Sequence, residues 1–158
     1  MRRLADPYRD TDVIDSRAPR FNQATIGVLS LVAVLAGWHW LVGLLALQLA
    51  VGLVFGRRFC LPCVAYFELV QPRFEEGPLE DSRPPRAANI VGAVVLSAST
   101  LGYAFGFEPV GTALALLVAG LALLAAVTGF CTGCEAYKLG YRLTGRAFIS
   151  CPIPGQSR

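Results

Sequence analysis

Residues 21–56 read FNQATIGVLSLVAVLAGWHWLVGLLALQLAVGLVFG, and this run contains no Asp, Glu, Lys or Arg. In a second run, residues 87–136, the only charged residues are Glu108 and Glu135. The whole chain is 16% charged, whereas soluble domains average about 25%. Such runs would form an insoluble surface in water, so the expected solvent is the lipid bilayer. The sequence predicts an integral membrane protein.

Each uncharged run is long enough for two helices, because one membrane span needs about 17 to 25 residues. The runs break at residues 37–40 and 102–109, where glycine and aromatic residues are typical of hairpin tips at a membrane surface. The predicted fold class is therefore an all-α membrane protein with four transmembrane helices. These helices are predicted over residues 23–37, 40–56, 88–104 and 109–129.

A cysteine motif closes each run: FCLPCVAY (59–66) returns 71 residues later as FCTGCEAY (130–137). The chain is accordingly interpreted as two parallel αα-hairpin repeats, each ending in an FCxxC motif and related by a pseudo-twofold axis along the membrane normal. Aligning Gly37 with Gly102 gives an offset of only 65. This alignment predicts that the second hairpin tip is six residues longer than the first.

The same patterns divide the chain into five segments. Residues 1–22 form an N-terminal arm, 23–70 the first repeat, 71–86 a linker, 87–143 the second repeat and 144–158 a C-terminal tail. The linker contains four prolines and seven charged residues, a composition typical of a solvated tether.

The distribution of positive charge predicts the orientation. All 14 Lys and Arg residues lie in the arm, the cysteine segments, the linker or the tail, and neither hairpin tip has one. By the positive-inside rule, both termini and both CxxC motifs are expected on the cytoplasmic side.

Paired cysteines at this spacing favour thiol chemistry or metal binding. Amphipathic stretches over 64–70 and 135–143 follow the motifs, and a helix N-terminus there would favour the thiolate form. A permanent disulfide is a poor explanation in a reducing cytoplasm. In a redox or sulfur-relay mechanism, Cys60 or Cys131 attacks an oxidised sulfur compound. Cys63 or Cys134 then resolves the intermediate.

Metal binding is the alternative. The pseudo-twofold would bring the four cysteines together as a tetrahedral zinc or iron-sulfur site that holds the repeats together or scaffolds a complex. The ligands would be Cys60, Cys63, Cys131 and Cys134. Two further roles stay open, a structural one as buried apolar residues and permeation of a small sulfur compound between the repeats. No cofactor is certain, and Cys151 has no counterpart in the other repeat.

The predicted spans contain no charged side chain, which disfavours an ion pump or an ion-coupled transporter. Gln48 is expected to contact a neighbouring helix, and His39 has no evident ligand partner. No interaction with nucleic acid is expected, and the oligomeric state is open.

Three stretches carry a family resemblance: RFNQ (20–23) at the first span, the two FCxxC exits and CEAYKL (134–139) after the last span. With them, the whole chain resembles a bacterial family catalogued as domain of unknown function 4395, which comprises small four-span membrane proteins. The resemblance implies the bacterial inner membrane and a thioredoxin-like or sulfurtransferase partner, which would suit a thiol-disulfide oxidoreductase. The layout is also similar to the vitamin K epoxide reductase family, although no quinone site is evident here.

Overall fold

The computed structural model describes residues 6–74 and 76–143, so the tail and Cys151 lie outside the described residues. The chain is mostly helical, as predicted. A 3-10 turn and a π-helical turn flank α3, at Arg57–Phe59 and Tyr66–Val70. In chain order, the helices and strands are β1 (Val13–Asp15), α1 (Arg17–Leu35), α2 (His39–Phe55), α3 (Leu61–Ala65), α4 (Gln71–Phe74), β2 (Leu79–Asp81), α5 (Arg83–Ala104), α6 (Glu108–Thr128) and α7 (Thr132–Leu143).

The long helices α1 and α5 begin earlier than predicted, at residues 17 and 83 rather than 23 and 88. Each follows an Asp-Ser pair whose carboxylate caps the start: the backbone N–H of Arg17 donates to Asp15 Oδ1, and that of Arg83 to Asp81 Oδ1, both at 2.9 Å. Proline in the first turn is compatible with a helix, because its missing N–H would be unbonded there anyway. The charged, proline-containing first turns therefore belong to the helices.

Three helices are long and apolar enough to cross a membrane: α1 with 19 residues, α5 with 22 and α6 with 21. The apolar helix α2 is shorter, with 17 residues. Many large apolar side chains of these helices face outward, among them Val28, Val32, Leu44, Leu47, Val91, Val94, Leu117, Leu121, Leu124 and Val127. This composition is consistent with a membrane protein.

The four long helices form one bundle in which α1 packs against α6, α2 against α5, and α5 against α6. Small residues allow the close approach: a Cβ atom on Gly27 of α1 would lie 2.8 Å from Leu123 Cγ of α6. The core of the bundle comprises Ile26, Ala33, Val42, Leu45, Ala46, Leu49, Ala93, Leu96 and Ala115.

The two hairpin tips have the same length, so the prediction of a longer second tip was wrong. Gly37 and Gly106 both adopt positive φ, 68° and 79°, and in each repeat one aromatic residue separates this glycine from the next helix. The extra residues of the second repeat lie inside its helices. α5 has 22 residues where α1 has 19, and α6 has 21 where α2 has 17.

The segment predicted as a solvated tether, residues 71–86, has a defined structure that contains α4, β2 and the first turn of α5. Strand β2 pairs antiparallel with β1 from the N-terminal arm, and Ile14 lies opposite Glu80 at the centre of the pairing. The outer residues of both strands are buried while Glu80 is exposed. Backbone pairing and alternate burial therefore order both segments.

Replacing Gly27 by Val is expected to separate α1 from α6, because the added side chain would overlap Leu123. We expect the free energy of unfolding in detergent to fall by about 1 to 3 kcal/mol. The matched control is Gly120→Ala, also in a long helix, where a Cβ atom would meet nothing within 4 Å. Equal stability of the two variants would contradict this account of the α1–α6 contact.

Candidate functional site

The first cysteine motif lies where the chain leaves the bundle. α2 ends at Phe55, and Gly56 takes positive φ (89°), which lets the backbone turn without the strain that a side chain would cause. Cys60 then directly precedes α3, as predicted for a CxxC motif at a helix start. Gln48 makes the expected contact with a neighbouring segment, since its Nε2 atom donates to the carbonyl oxygen of Phe59 at 2.9 Å.

Cys60 and Cys63 are brought together. Their Sγ atoms lie in disulfide contact, and their Cα atoms are 5.2 Å apart, within the range of about 4.4 to 6.8 Å that disulfides require. Only 7% and 8% of the two residues is exposed. Gly52 permits this packing, because a Cβ atom there would come within 3.2 Å of Cys60 Cβ. The pair is thus positioned for reversible oxidation inside the fold.

Two neighbouring residues of α1 contact the first cysteine of each motif. Asn22 Oδ1 lies 3.9 Å from Cys60 Sγ, close enough to accept the S–H of a reduced thiol. Gln23 Nε2 donates to Cys131 Sγ at 3.3 Å. Asn22 is itself held by Asn89 of α5, with 3.2 Å between Asn22 Nδ2 and Asn89 Oδ1. Both motifs therefore lie at the same end of the bundle, beside the start of α1.

The second motif begins α7. Cys131 directly precedes this helix, and its Sγ atom accepts the backbone N–H of Cys134 at 3.4 Å. Together with the Gln23 amide, this contact directs two N–H donors at one sulfur atom, an arrangement that stabilises a thiolate. Both cysteines are half-buried.

Two cavities flank the bond between Asn22 and Asn89. The larger, about 280 Å³, is lined by Cys60 and Cys63. The smaller, about 160 Å³, is lined mostly by apolar side chains of α1, α5 and α6 and by Cys131. Asn22 and Asn89 line both cavities. Each motif therefore has its first cysteine beside a space large enough for a small molecule.

Within residues 6–74 and 76–143, no three Cys, His, Asp or Glu side chains form a group that could hold a metal ion. His39 stacks on Tyr103, with the ring centroids 4.0 Å apart.

A buried carboxylate ties the first cysteine segment to β1. Asp15 is 2% exposed and accepts hydrogen bonds from Tyr66 Oη at 2.9 Å and Gln71 Nε2 at 3.2 Å. The backbone N–H groups of Arg17 and Gly77 also donate to it, each at 2.9 Å. Burial, followed by the hydrogen bond to Asp15, raises the pKa of Tyr66. The phenol, the last residue of FCxxCxAY, therefore stays a neutral donor.

Arg57 binds the N-terminal arm in a similar way. Its Nη1 atom donates to the carbonyl oxygens of Pro7, Asp10 and Val13 at 3.1, 3.2 and 2.9 Å. Its Nη2 atom donates to the carbonyl oxygen of Thr11 at 2.8 Å. Desolvation lowers the pKa of Arg57, but a guanidinium remains charged in proteins. A charged group thus fixes the turn before Cys60.

A family model described as a domain of unknown function (DUF4395) matches residues 14–142. The chain belongs to the DUF4395 family. Comparisons with curated proteins and with solved structures give no significant match. The match covers β1, both cysteine motifs and all four long helices of this DUF4395 protein.

Sequence reasoning missed a second internal repeat in this DUF4395 protein, and its signal was present. DSRAPR (15–20) returns 66 residues later as DSRPPR (81–86). These stretches end β1 and β2 and begin α1 and α5. The offset differs from that of the cysteine motifs, and the two copies had been assigned to an arm and a linker, so the match was overlooked.

We expect Asp15→Ala to destabilise this end of the bundle, because it removes the acceptor of four hydrogen bonds. The free energy of unfolding should fall by about 3 kcal/mol, since donors left unsatisfied in a buried site are costly. Maleimide labelling of the reduced Cys60 and Cys63 should become faster. Glu80→Ala, an exposed carboxylate of the same two-stranded sheet, is the matched control. If both variants label at the wild-type rate, Asp15 does not hold the cysteine segment.

Proposed function

We propose that this protein is a four-span membrane protein whose Cys60–Cys63 pair performs thiol-disulfide exchange or sulfur relay at the cytoplasmic face. The observation that carries this proposal is the disulfide contact of two buried cysteines beside a cavity of about 280 Å³. A CxxC pair that only filled space in the core would need neither a bonding distance nor an adjoining cavity.

The packing of α2 supports a fourth span. Its 17 residues correspond to about 25 Å at 1.5 Å per residue, somewhat less than the hydrocarbon thickness of about 30 Å. α2 lies in the same bundle as the three longer helices and packs along α5. A neighbour that crosses the bilayer would carry α2 through it.

Three observations support two repeats related by a pseudo-twofold axis. The contact of α1 with α6 has its counterpart in the contact of α2 with α5. The β1–β2 pairing is symmetric about Ile14 and Glu80. Backbone bonds next to the strands match as well: Ser16 N–H donates to Pro78 O, and Ser82 N–H to Asp12 O, both at 2.9 Å.

The orientation follows from charge. The starts of α1 and α5 lie at the same end of the bundle as the cysteine motifs, and the hairpin tips, which lack Lys and Arg, lie at the other. By the positive-inside rule, the cysteine end is cytoplasmic. In a bacterium this places the pairs where soluble thioredoxin-like or sulfurtransferase proteins are available as partners.

Labelling of intact cells tests this orientation. In a Cys151→Ser background, Phe105→Cys at a hairpin tip should react with a membrane-impermeant maleimide added outside, because Phe105 is exposed. Phe74→Cys, equally exposed at the cysteine end, should react only after the cells are opened. The unsubstituted background reports labelling of the remaining cysteines. The reverse pattern would place the CxxC motifs outside the cytoplasm.

In the proposed exchange, the Cys60 thiolate attacks one sulfur of a disulfide, forms a mixed disulfide and releases the other sulfur as a thiolate. Cys63 then attacks Cys60 Sγ, which closes the intramolecular disulfide and releases the second half of the substrate as a thiol. The amide of Asn22 beside Cys60 and the burial of Cys63 suit these separate roles. Cys131 and Cys134 form a second pair for the same chemistry.

Single cysteine variants test the exchange. Cys63→Ser should accumulate a mixed disulfide with a thioredoxin-like partner or a model disulfide, because the resolving thiol is absent. Cys60→Ser should accumulate none, and both variants should fold. Cys151→Ser is the control and should behave as the wild type. Unchanged exchange in both CxxC variants would contradict the proposal.

The four-cysteine metal site predicts a different result from the same proteins. Zinc or iron would copurify at about one site per chain. Each of the four single cysteine variants would then lose the metal and stability together. Metal analysis of anaerobically purified protein, alongside a count of reactive thiols before and after denaturation, decides between the two functions.

A further inference from the structure

We propose that the cavity beside Cys60 and Cys63 binds a small anion that contains a sulfur–sulfur bond, of the thiosulfate class, as the direct substrate of this pair. The inference rests on the proposed thiol function and names its substrate class. Its argument comes from the burial of the sulfur atoms, the charge of the cavity and its size.

Burial favours a small reactant over a protein. Thiol exchange requires the attacking sulfur to contact the sulfur under attack. Cys60 and Cys63 are at most 8% exposed, and the space beside them is enclosed by α1, α2, α5 and the turn before α3. Its volume of about 280 Å³ is at the lower end of ligand pockets, which span about 300 to 1,000 Å³. A compact molecule fits there, whereas a disulfide on a folded protein does not reach the sulfur atoms.

Charge favours an anion. Two guanidinium groups, Arg57 and Arg86, line the cavity, and none of its lining residues in the described part of the chain is Asp or Glu. Asp10 and Asp12 act on Arg57 electrostatically without lining the cavity. Arg57 is held by backbone carbonyls, which do not cancel its charge. Arg86 uses Nη2 for one long contact, 3.4 Å to Leu53 O, and a guanidinium has further N–H donors for an oxoanion.

Neutral donors complete the site. Asn89 uses its carbonyl oxygen to accept from Asn22, so its NH₂ group is the donor left beside the cavity. Ser82 lines the same wall. Amide and guanidinium donors around a small cavity suit the oxygen atoms of a sulfonate group, while the cysteine sulfurs lie at the apolar side formed by Leu49 and Gly52.

The chemistry balances without another reactant. The Cys60 thiolate attacks the terminal sulfur of thiosulfate. A new S–S bond forms, and the thiosulfate S–S bond breaks with its electron pair leaving on sulfite. Cys63 then attacks Cys60 Sγ of the persulfide, and the terminal sulfur leaves as sulfide with the Cys63 proton. The two cysteines are oxidised to a disulfide, and the transferred sulfur is reduced to sulfide.

The test uses the full chain, reduced and then freed of reductant, in detergent or nanodiscs, with thiosulfate as the probe. We expect about one sulfite per chain to be released and the Cys60–Cys63 disulfide to form in step with it. Sulfate, a dianion of similar shape without the terminal sulfur, should compete and should raise the thermal stability of the wild type. Cys60→Ser should keep the stabilisation by sulfate and release no sulfite.

Arg86→Gln separates the cavity from general thiol reactivity. It should raise the thiosulfate concentration for half-maximal sulfite release about tenfold, because a charge-assisted contact is lost. The matched control is Arg73→Gln, an exposed arginine that does not line the cavity, which should behave as the wild type. Sulfite release that is indifferent to both sulfate and Arg86→Gln would overturn the inference.

Absence of sulfite release would also overturn it. If Cys60 and Cys63 still exchanged with thioredoxin in that case, the proposed thiol function would stand with a different substrate. If the pair exchanged with neither reagent, the proposed function would fail together with the inference.

Discussion

The antiparallel pairing of β1 with β2 is the constraint on which the arrangement of the cysteine site depends. Each strand runs through an Asp-Ser pair into the first turn of a long helix, so pairing the strands places the starts of α1 and α5 side by side. This proximity allows Asn22 to bond with Asn89 and thereby separates the two cavities. Asp15, at the end of β1, also holds Tyr66 of the first cysteine segment.

The site combines buried sulfur atoms with neutral amides. A thiolate enclosed only by apolar side chains would be disfavoured by desolvation, and a thiolate open to water would react with any passing disulfide. Asn22 and Gln23 provide polar contacts to Cys60 and Cys131 without a charge, and the guanidinium groups of Arg57 and Arg86 line the larger cavity. The environment therefore supports sulfur chemistry while access is limited by the cavity.

The helices were predictable where composition alone determines them. The C-terminal ends of all four long helices lie within about two residues of the predicted positions, because glycines with positive φ follow or closely follow them. The starts of α1 and α5 were not predicted, because charged and proline-containing turns resemble linkers. Aligning Gly37 with Gly102 failed for a related reason: helices tolerate extra residues along their length, whereas the tip geometry requires a glycine at one position, which Gly106 supplies.

The sequence by itself determined that the chain is mostly helical, apolar enough for a membrane and equipped with two matched CxxC motifs, because composition and local spacing decide these properties. Only the tertiary structure decided that Cys60 and Cys63 are buried beside a cationic cavity and that adjacent residues of α1 reach both motifs. The bond between Asn22 and Asn89 joins residues 67 positions apart. Such contacts depend on how the helices pack, and no local pattern in the sequence specifies that packing.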